Sequence, residues 1–137
     1  VACKPALDSS GEGSFWKVTI GASPIGWMYL GIIGNLDAPN DSHEDSTSYG
    51  LTSSSSFYHG GTKRTGDSGW KGFKQGDCLY FHLKSNKLTT FHVQKNKKFT
   101  LDVAAAVGAY FIHFNIFCSS SILTLAPLSE DERARFL

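Results

Sequence analysis

Residues 78–93, CLYFHLKSNKLTTFHV, decide the fold class of this chain of 137 residues. In the first half, Leu79, Phe81 and Leu83 alternate with other side chains, and the alternation resumes over 88–93 after Ser85 and Asn86. An alternation with a period of two places one face of a strand against a core. Two such runs joined by two turn residues predict an antiparallel β-hairpin.

Similar runs continue on both sides of this hairpin, at 15–20, 27–33, 49–51, 99–103, 110–117 and 122–126. The run 27–33 is short and apolar on both faces, which indicates a central strand that is buried on both sides. Trp16 and Trp27 are expected in the core. Turn residues separate these eight predicted strands, and no long amphipathic helix is predicted. The expected fold class is all-β, an antiparallel sandwich of two β-sheets.

The length of the chain suits one domain. Residues 1–14 are polar and rich in glycine and serine, and are interpreted as a linker or edge segment. The sandwich is expected over 15–127, and 128–137 as a C-terminal tail. In this tail Ser129 and Glu132 have the spacing of a capping box, which predicts a short helix.

Composition argues against several classes of partner. The chain has 13 Lys and Arg against 12 Asp and Glu, a net charge of +1, and no apolar run that could span a bilayer. Its three cysteines form neither a disulfide framework nor a zinc-binding spacing. We therefore expect a cytoplasmic domain with no nucleic acid or membrane partner and no metal or other cofactor. The glycosylation sequon at Asn40 is the one signal for secretion, and the sequence leaves that alternative open.

The sequence predicts no catalytic residue. Residues 66–69, GDSG, match a serine-protease tetrapeptide, but the chain is too short for the double barrel that supports such a site. A loop rich in turn residues is the better interpretation. His82, His92 and His113 lie in predicted strands and are expected to be partly buried with hydrogen-bond partners. His43 lies among acidic residues of a long polar segment and is expected to be solvated.

The order of the strand motifs resembles that of the SPRY domain family. The chain departs from the family pattern at some positions, as at Lys17, where an acidic residue is usual, and at Phe111, where proline is common. It is therefore identified as a divergent member. The matching stretches are FWKV at 15–18, WMYLGI at 27–32, SYG at 48–50, FYHGG at 57–61, FKQGDCL at 73–79, TTF at 89–91, YFI at 110–112 and ILTL at 122–125.

This resemblance implies a non-catalytic module that binds a protein or a short peptide through loops of a bent sandwich. In tripartite-motif and SOCS-box ubiquitin ligases such domains recognise the substrate, which implies that role in an E3 ubiquitin ligase. Tyr58 matches the tyrosine that contacts a bound peptide in the SOCS-box branch. Phe117, Cys118 and Ser119 are the nearest matches to the contributing loop between the last two strands.

Two further contact candidates come from their position in the chain. His59 follows Tyr58, and Trp70 lies at a loop–strand junction, where a place in the core is the favoured interpretation. A tyrosine offers a large, stiff contact surface with a polar tip, so Tyr58→Ala is expected to weaken binding about tenfold or more.

Two other sequence features concern the choice of partner. Residues 37–45 contain four acidic side chains and no lysine or arginine, whereas 63–74 carry a net charge of +3. Such segregation can bias the choice of partner and the rate of association.

A carbohydrate-binding, lectin-like sandwich is the alternative function, since the oxygen-rich segment 35–45 could hold a glycan, although it lacks the alternating spacing of a calcium loop.

Overall fold

The computed structural model describes residues 2–21, 27–38, 40–65, 69–105, 108–116 and 123–136. Within these residues the chain forms eleven strands and one short α-helix. The strands are β1 (Ala2–Leu7), β2 (Ser14–Ile20), β3 (Met28–Ile33), β4 (Tyr49–Thr52), β5 (Phe57–His59), β6 (Thr62–Arg64), β7 (Cys78–Lys84), β8 (Lys87–His92), β9 (Lys97–Asp102), β10 (Tyr110–Ile116) and β11 (Leu123–Ala126). The helix α1 (Glu130–Arg133) follows, and short 3₁₀ helices cover Ser42–Glu44 and Ala134–Phe136.

Two antiparallel sheets form a sandwich, which confirms the predicted fold class. The larger sheet has the order β1-β10-β3-β4-β5-β6 and the smaller sheet the order β11-β2-β7-β8-β9. Strand β3 lies between β10 and β4, and all six of its residues are buried, as its apolar sequence predicts. All eight predicted strands are present, and β1, β5 and β6 are additional.

The predicted hairpin is formed by β7 and β8. Lys84 pairs with Lys87 across the two-residue turn, and Ser85 adopts a positive φ of 53°. The apolar side chains that alternate along β7 point into the core, where Phe81 stacks on Trp16 with ring centroids 5.3 Å apart. Trp16 and Phe81 are register partners on neighbouring strands of the smaller sheet, so this stack strengthens one layer of the core.

The C-terminal helix packs on the outer face of the smaller sheet. Ser129 and Glu132 form a capping box, as their spacing predicts. The Glu132 carboxylate also accepts hydrogen bonds from Lys17 Nζ at 2.8 Å and from Tyr80 Oη at 3.0 Å. These bonds, first of all that from Lys17, lower the pKa of Glu132 to about 2. No helix within the described residues is both long and apolar enough to cross a membrane.

The connections divide between the two ends of the sandwich. At the end where β2 finishes and β3 begins, called here the β2–β3 end, lie the connections 53–56, 69–77 and 93–96. At the other end, called the β3–β4 end, lie 8–13, 34–48 and 85–86. Trp70, in the connection 69–77, therefore lies at the β2–β3 end, whereas Tyr58 and His59 belong to strand β5.

Candidate binding surface

Tyr58 lies on the outer face of the larger sheet. Strand β5 holds it between Gly50 of β4 and Lys63 of β6, while the preceding Phe57 packs against the core. The side chain of Tyr58 is 8% exposed. Its burial, together with the nearby charge of Glu44, raises the pKa of the phenol.

Three aromatic rings surround the Tyr58 ring and fix its orientation. Trp27, Tyr29 and His43 have ring centroids 6.3, 5.6 and 5.0 Å from that of Tyr58. All three meet it nearly at right angles, at 79°, 89° and 86°, an arrangement that the aromatic quadrupole favours. Trp27 is half-buried on this face. The expectation that Trp27 belongs to the core is wrong, since a period of two places it beside Tyr29 on the outer face.

The segment 34–48 covers part of this face. Its residues Ser42 and His43 are each only 6% exposed. The backbone N–H of His43 donates to Asn115 Oδ1 at 2.8 Å, and the Ser42 hydroxyl donates to the same oxygen at 3.0 Å. The expectation that His43 is solvated is therefore wrong, because polar side chains of β10 give this segment buried hydrogen-bond partners.

His113 is almost fully buried under this cover. Because the single Ser42 hydroxyl proton goes to Asn115, Ser42 Oγ accepts the Nε2–H of His113, at 2.7 Å. This assigns the neutral Nε2–H tautomer, whose Nδ1 has no hydrogen-bond partner in the described part of the chain. Burial lowers the pKa of His113 to about 3. The expected partly buried, hydrogen-bonded role of His113 agrees with this geometry.

Gly50 makes room for the aromatic cluster. A Cβ at this position would lie 2.7 Å from Tyr29 Cζ and 2.5 Å from the carbonyl oxygen of Leu30. The Tyr29 ring can therefore cross β4 and reach Ser48, with which its hydroxyl shares a hydrogen bond of 2.5 Å. The glycine of the SYG motif thus has a packing role in positioning the rings around Tyr58.

Comparison with solved structures identifies this architecture. The crystal structure of the SPRY domain of human HERC1 matches with a TM-score of 0.67 over 94% of this chain and 79% of that chain. The chain has the SPRY fold. Sequence identity to that domain is 12%, so the likeness concerns the fold. No family model and no curated protein sequence matches the chain.

In this SPRY sandwich the predicted contact residues do not form one cluster. His59 is exposed, and its ring meets Tyr49 on the side of the sheet opposite to Tyr58. Trp70 is 4% exposed and belongs to the core, where its Nε1–H donates to Thr52 O at 2.8 Å. The favoured interpretation of Trp70 as a core residue agrees with this position. A partner contact by Trp70 or His59 stays a prediction.

Two sets of sequence candidates lie outside the residues that the structure describes. Phe117, Cys118 and Ser119, predicted to border the binding surface, belong to the segment 117–122. The serine of the protease-like tetrapeptide belongs to 66–68. The described residues that lie around Tyr58 on the outer face are Trp27, Tyr29, His43 and Lys63, of which sequence reasoning had proposed none as a contact.

Proposed function

We propose that this SPRY domain binds a protein or a short peptide through Tyr58 and the neighbouring outer face of the larger sheet. The observation that supports this proposal most is the state of the Tyr58 side chain. Its ring is fixed by three aromatic neighbours, while its hydroxyl makes no hydrogen bond to any described residue. The proposal concerns binding alone and includes no reaction step.

A tyrosine held in this way is suited to a binding contact. The ring is already ordered in the free domain, so little rotamer entropy is lost when a partner binds. The hydroxyl can donate one hydrogen bond and accept others. Trp27, half-buried beside Tyr58, adds apolar surface next to this polar tip. Tyrosine and tryptophan are enriched among the residues that dominate binding energies.

The experiment that tests this proposal uses Tyr58→Phe, which removes the hydroxyl and keeps the ring packing. Immobilised wild-type domain and variant are compared by affinity capture and mass spectrometry, with Tyr80→Phe as the matched control. Tyr80 loses its hydroxyl on the outer face of the other sheet, where it bonds Glu132. A partner should be retained by the wild type and Tyr80→Phe and lost or reduced with Tyr58→Phe.

A purified complex then gives the magnitude. Tyr58→Ala should raise the dissociation constant about tenfold or more, with circular dichroism confirming that the variant is folded. Since the exposed part of Tyr58 is small, the hydroxyl must carry much of any contact. Unchanged affinity in folded Tyr58→Phe and Tyr58→Ala would exclude Tyr58 from the binding surface.

A finer proposal is that the partner is the substrate of an E3 ubiquitin ligase. It is supported by the resemblance of the sequence motifs to tripartite-motif and SOCS-box proteins. Its test is whether ubiquitination of the captured partner in cells falls with Tyr58→Phe and persists with Tyr80→Phe. Equal ubiquitination with both variants would argue against this role while leaving binding intact.

A further inference from the structure

A cleft at the β2–β3 end lies between the segment 69–74 and the turn after β8. It consists of two adjoining cavities of about 440 and 330 Å³. Both cavities are lined by Lys71, Gly72, His92 and Lys95. The described residues that line the cleft belong to the end of β8, the start of β9 and the connections 53–56, 69–77 and 93–96, and none of them lies around Tyr58. It is therefore a separate surface of the molecule.

The cleft is strongly basic. Five exposed lysines line it, and none of them forms an ion pair within the described residues. Among the described residues that line it, the one acidic side chain is that of Asp77, which is 3% exposed and is occupied by hydrogen bonds. Positive charge in a concave surface focuses the electrostatic field and attracts anionic groups. The five lysines are Lys71, Lys74, Lys95, Lys97 and Lys98.

Hydrogen bonds of Asp77 and His92 connect the two walls of the cleft. Asp77 Oδ2 accepts the backbone N–H of Lys74 at 2.9 Å and the Nε2–H of His92 at 3.0 Å. His92 Nδ1 accepts the backbone N–H of Lys95 at 3.3 Å. Burial lowers the pKa of His92, so the neutral ring that these bonds require is the favoured form. The lysines on both walls therefore project from a connected, preformed frame.

The wall formed by residues 69–74 is also fixed by its backbone. Phe73 N–H donates to Ser53 O at 3.2 Å, and the Trp70 indole bonds the adjacent carbonyl of Thr52. Gly72 has a φ of 83°, and a Cβ there would lie only 2.3 Å from Ser53 O. The wall approaches the 53–56 connection so closely that only glycine fits. A rigid site loses little entropy when it binds a ligand.

We propose that this lysine cleft binds an acidic segment of a protein partner, with carboxylate or phosphate groups meeting the lysines of the two walls. Charge complementarity supports this occupant, since five lysines line the cleft and the one carboxylate among its described lining residues is buried. The proposal rests on the proposed function for the class of partner, but its location is independent of Tyr58. The partner would then contact the domain at two surfaces.

A single-stranded nucleic acid is the weaker occupant. Such ligands need aromatic faces on which bases stack. Trp70, the largest ring at the cleft, is 4% exposed and packs against Phe73 and Phe99. The acidic segment 37–45 would also repel a long polyanion that extends over the domain. A short acidic peptide meets only the basic cleft.

The test measures fluorescence anisotropy of a labelled peptide of glutamate, serine and glycine with the purified domain. The same peptide with phosphoserine in place of serine separates a phosphate preference from a carboxylate preference. Lys95→Glu should weaken binding of the acidic peptide roughly five- to tenfold, and adding Lys71→Glu should weaken it further. Binding should also decline as salt is raised, because exposed charges are screened.

Lys84→Glu is the matched control. Lys84 is exposed at the β3–β4 end and forms no ion pair in the described part of the chain, so its reversal changes the net charge equally. It should alter the affinity less than about twofold. Equal losses with Lys84→Glu and Lys95→Glu, equal affinity for a glutamine version of the peptide, or tighter binding of single-stranded RNA would each overturn the proposal. Tyr58→Phe should leave peptide affinity unchanged, so failure of either surface is distinguishable from failure of the other.

Discussion

Acidification from pH 7 to pH 5 should destabilise this domain through His113. The ring is 1% exposed, and its free Nδ1 has no acceptor nearby among the described residues that could stabilise a proton. Burial is the largest effect on its pKa, and among the described residues His43 opposes protonation while Asp45 favours it. The folded protein therefore keeps His113 neutral, whereas the unfolded chain protonates it.

The magnitude follows from the two pKa values. The pKa of His113 is about 3 in the folded state, against an ordinary value of 6.5. Because the folded value is the lower one, the stabilisation is complete above pH 6.5 and is lost as the pH falls toward 3. At pH 5 the unfolded histidine is almost fully protonated, so the free energy of unfolding falls by about 2 kcal/mol. This figure barely changes if the folded pKa is nearer 4.

Urea denaturation at pH 7, 6 and 5 measures this loss in the wild type and in His113→Gln. Glutamine keeps an N–H for Ser42 and cannot be protonated, and His92 titrates equally in both proteins. The wild type should lose about 2 kcal/mol more than the variant between pH 7 and pH 5. A proton resonance of His113 that shifts above pH 5 in the folded wild type, or equal pH dependence of the two proteins, would refute the reasoning.

Replacing Gly50 with alanine should lower the free energy of unfolding by at least about 1 kcal/mol, because the new Cβ would lie 2.5 Å from a backbone oxygen of β3. A urea titration measures this loss, with Gly108→Ala as the control, since a Cβ at Gly108 meets open space. Glu132→Gln should destabilise the domain at neutral pH but not near pH 2. The hydrogen bond from Lys17 lowers the pKa of Glu132 from 4.5 to about 2, so the stabilisation by the ionised carboxylate is lost as the pH falls through that range. Urea denaturation at pH 7 and pH 2 measures the difference. Ser85→Gly should raise the free energy of unfolding by up to about 1 kcal/mol, because glycine accepts the φ of 53° without strain, and an unchanged or lower melting temperature would contradict this.

Short-range patterns were sufficient to predict most of the fold. The alternation along 78–83 and the two turn residues after it specify a local hairpin, and the apolar run 27–33 specifies a strand covered on both faces. Strands β5 and β6 were not predicted because each has only three residues, too few for an alternation to be recognised, and all three residues of β6 are exposed. β1 was not predicted because it contains Pro5, which is tolerated there since this edge strand pairs with a neighbour, β10, on one side only.

The environment of Tyr58 was not predictable from such patterns. His43 lies among acidic residues in the sequence, yet its partner Asn115 is 72 positions away. Hydropathy describes whether a side chain prefers water, but not whether a distant polar strand offers it hydrogen bonds. One signal was present, since His113 and Asn115 are polar residues on the same face of a strand that otherwise contains apolar side chains. Such a face requires a polar cover.

The charge distribution shows why overall composition underestimates what this domain can recognise. A net charge of +1 argues against general attraction to anionic partners. Yet the exposed carboxylates of Asp37, Asp41 and Glu44 belong to the 34–48 connection, and the lysines of the cleft belong to the opposite end. Charges separated in this way cancel in the sum but not in the field near each surface. A partner with an acidic segment would be attracted to one end and repelled from the other. This charge distribution would orient the partner before it contacts Tyr58.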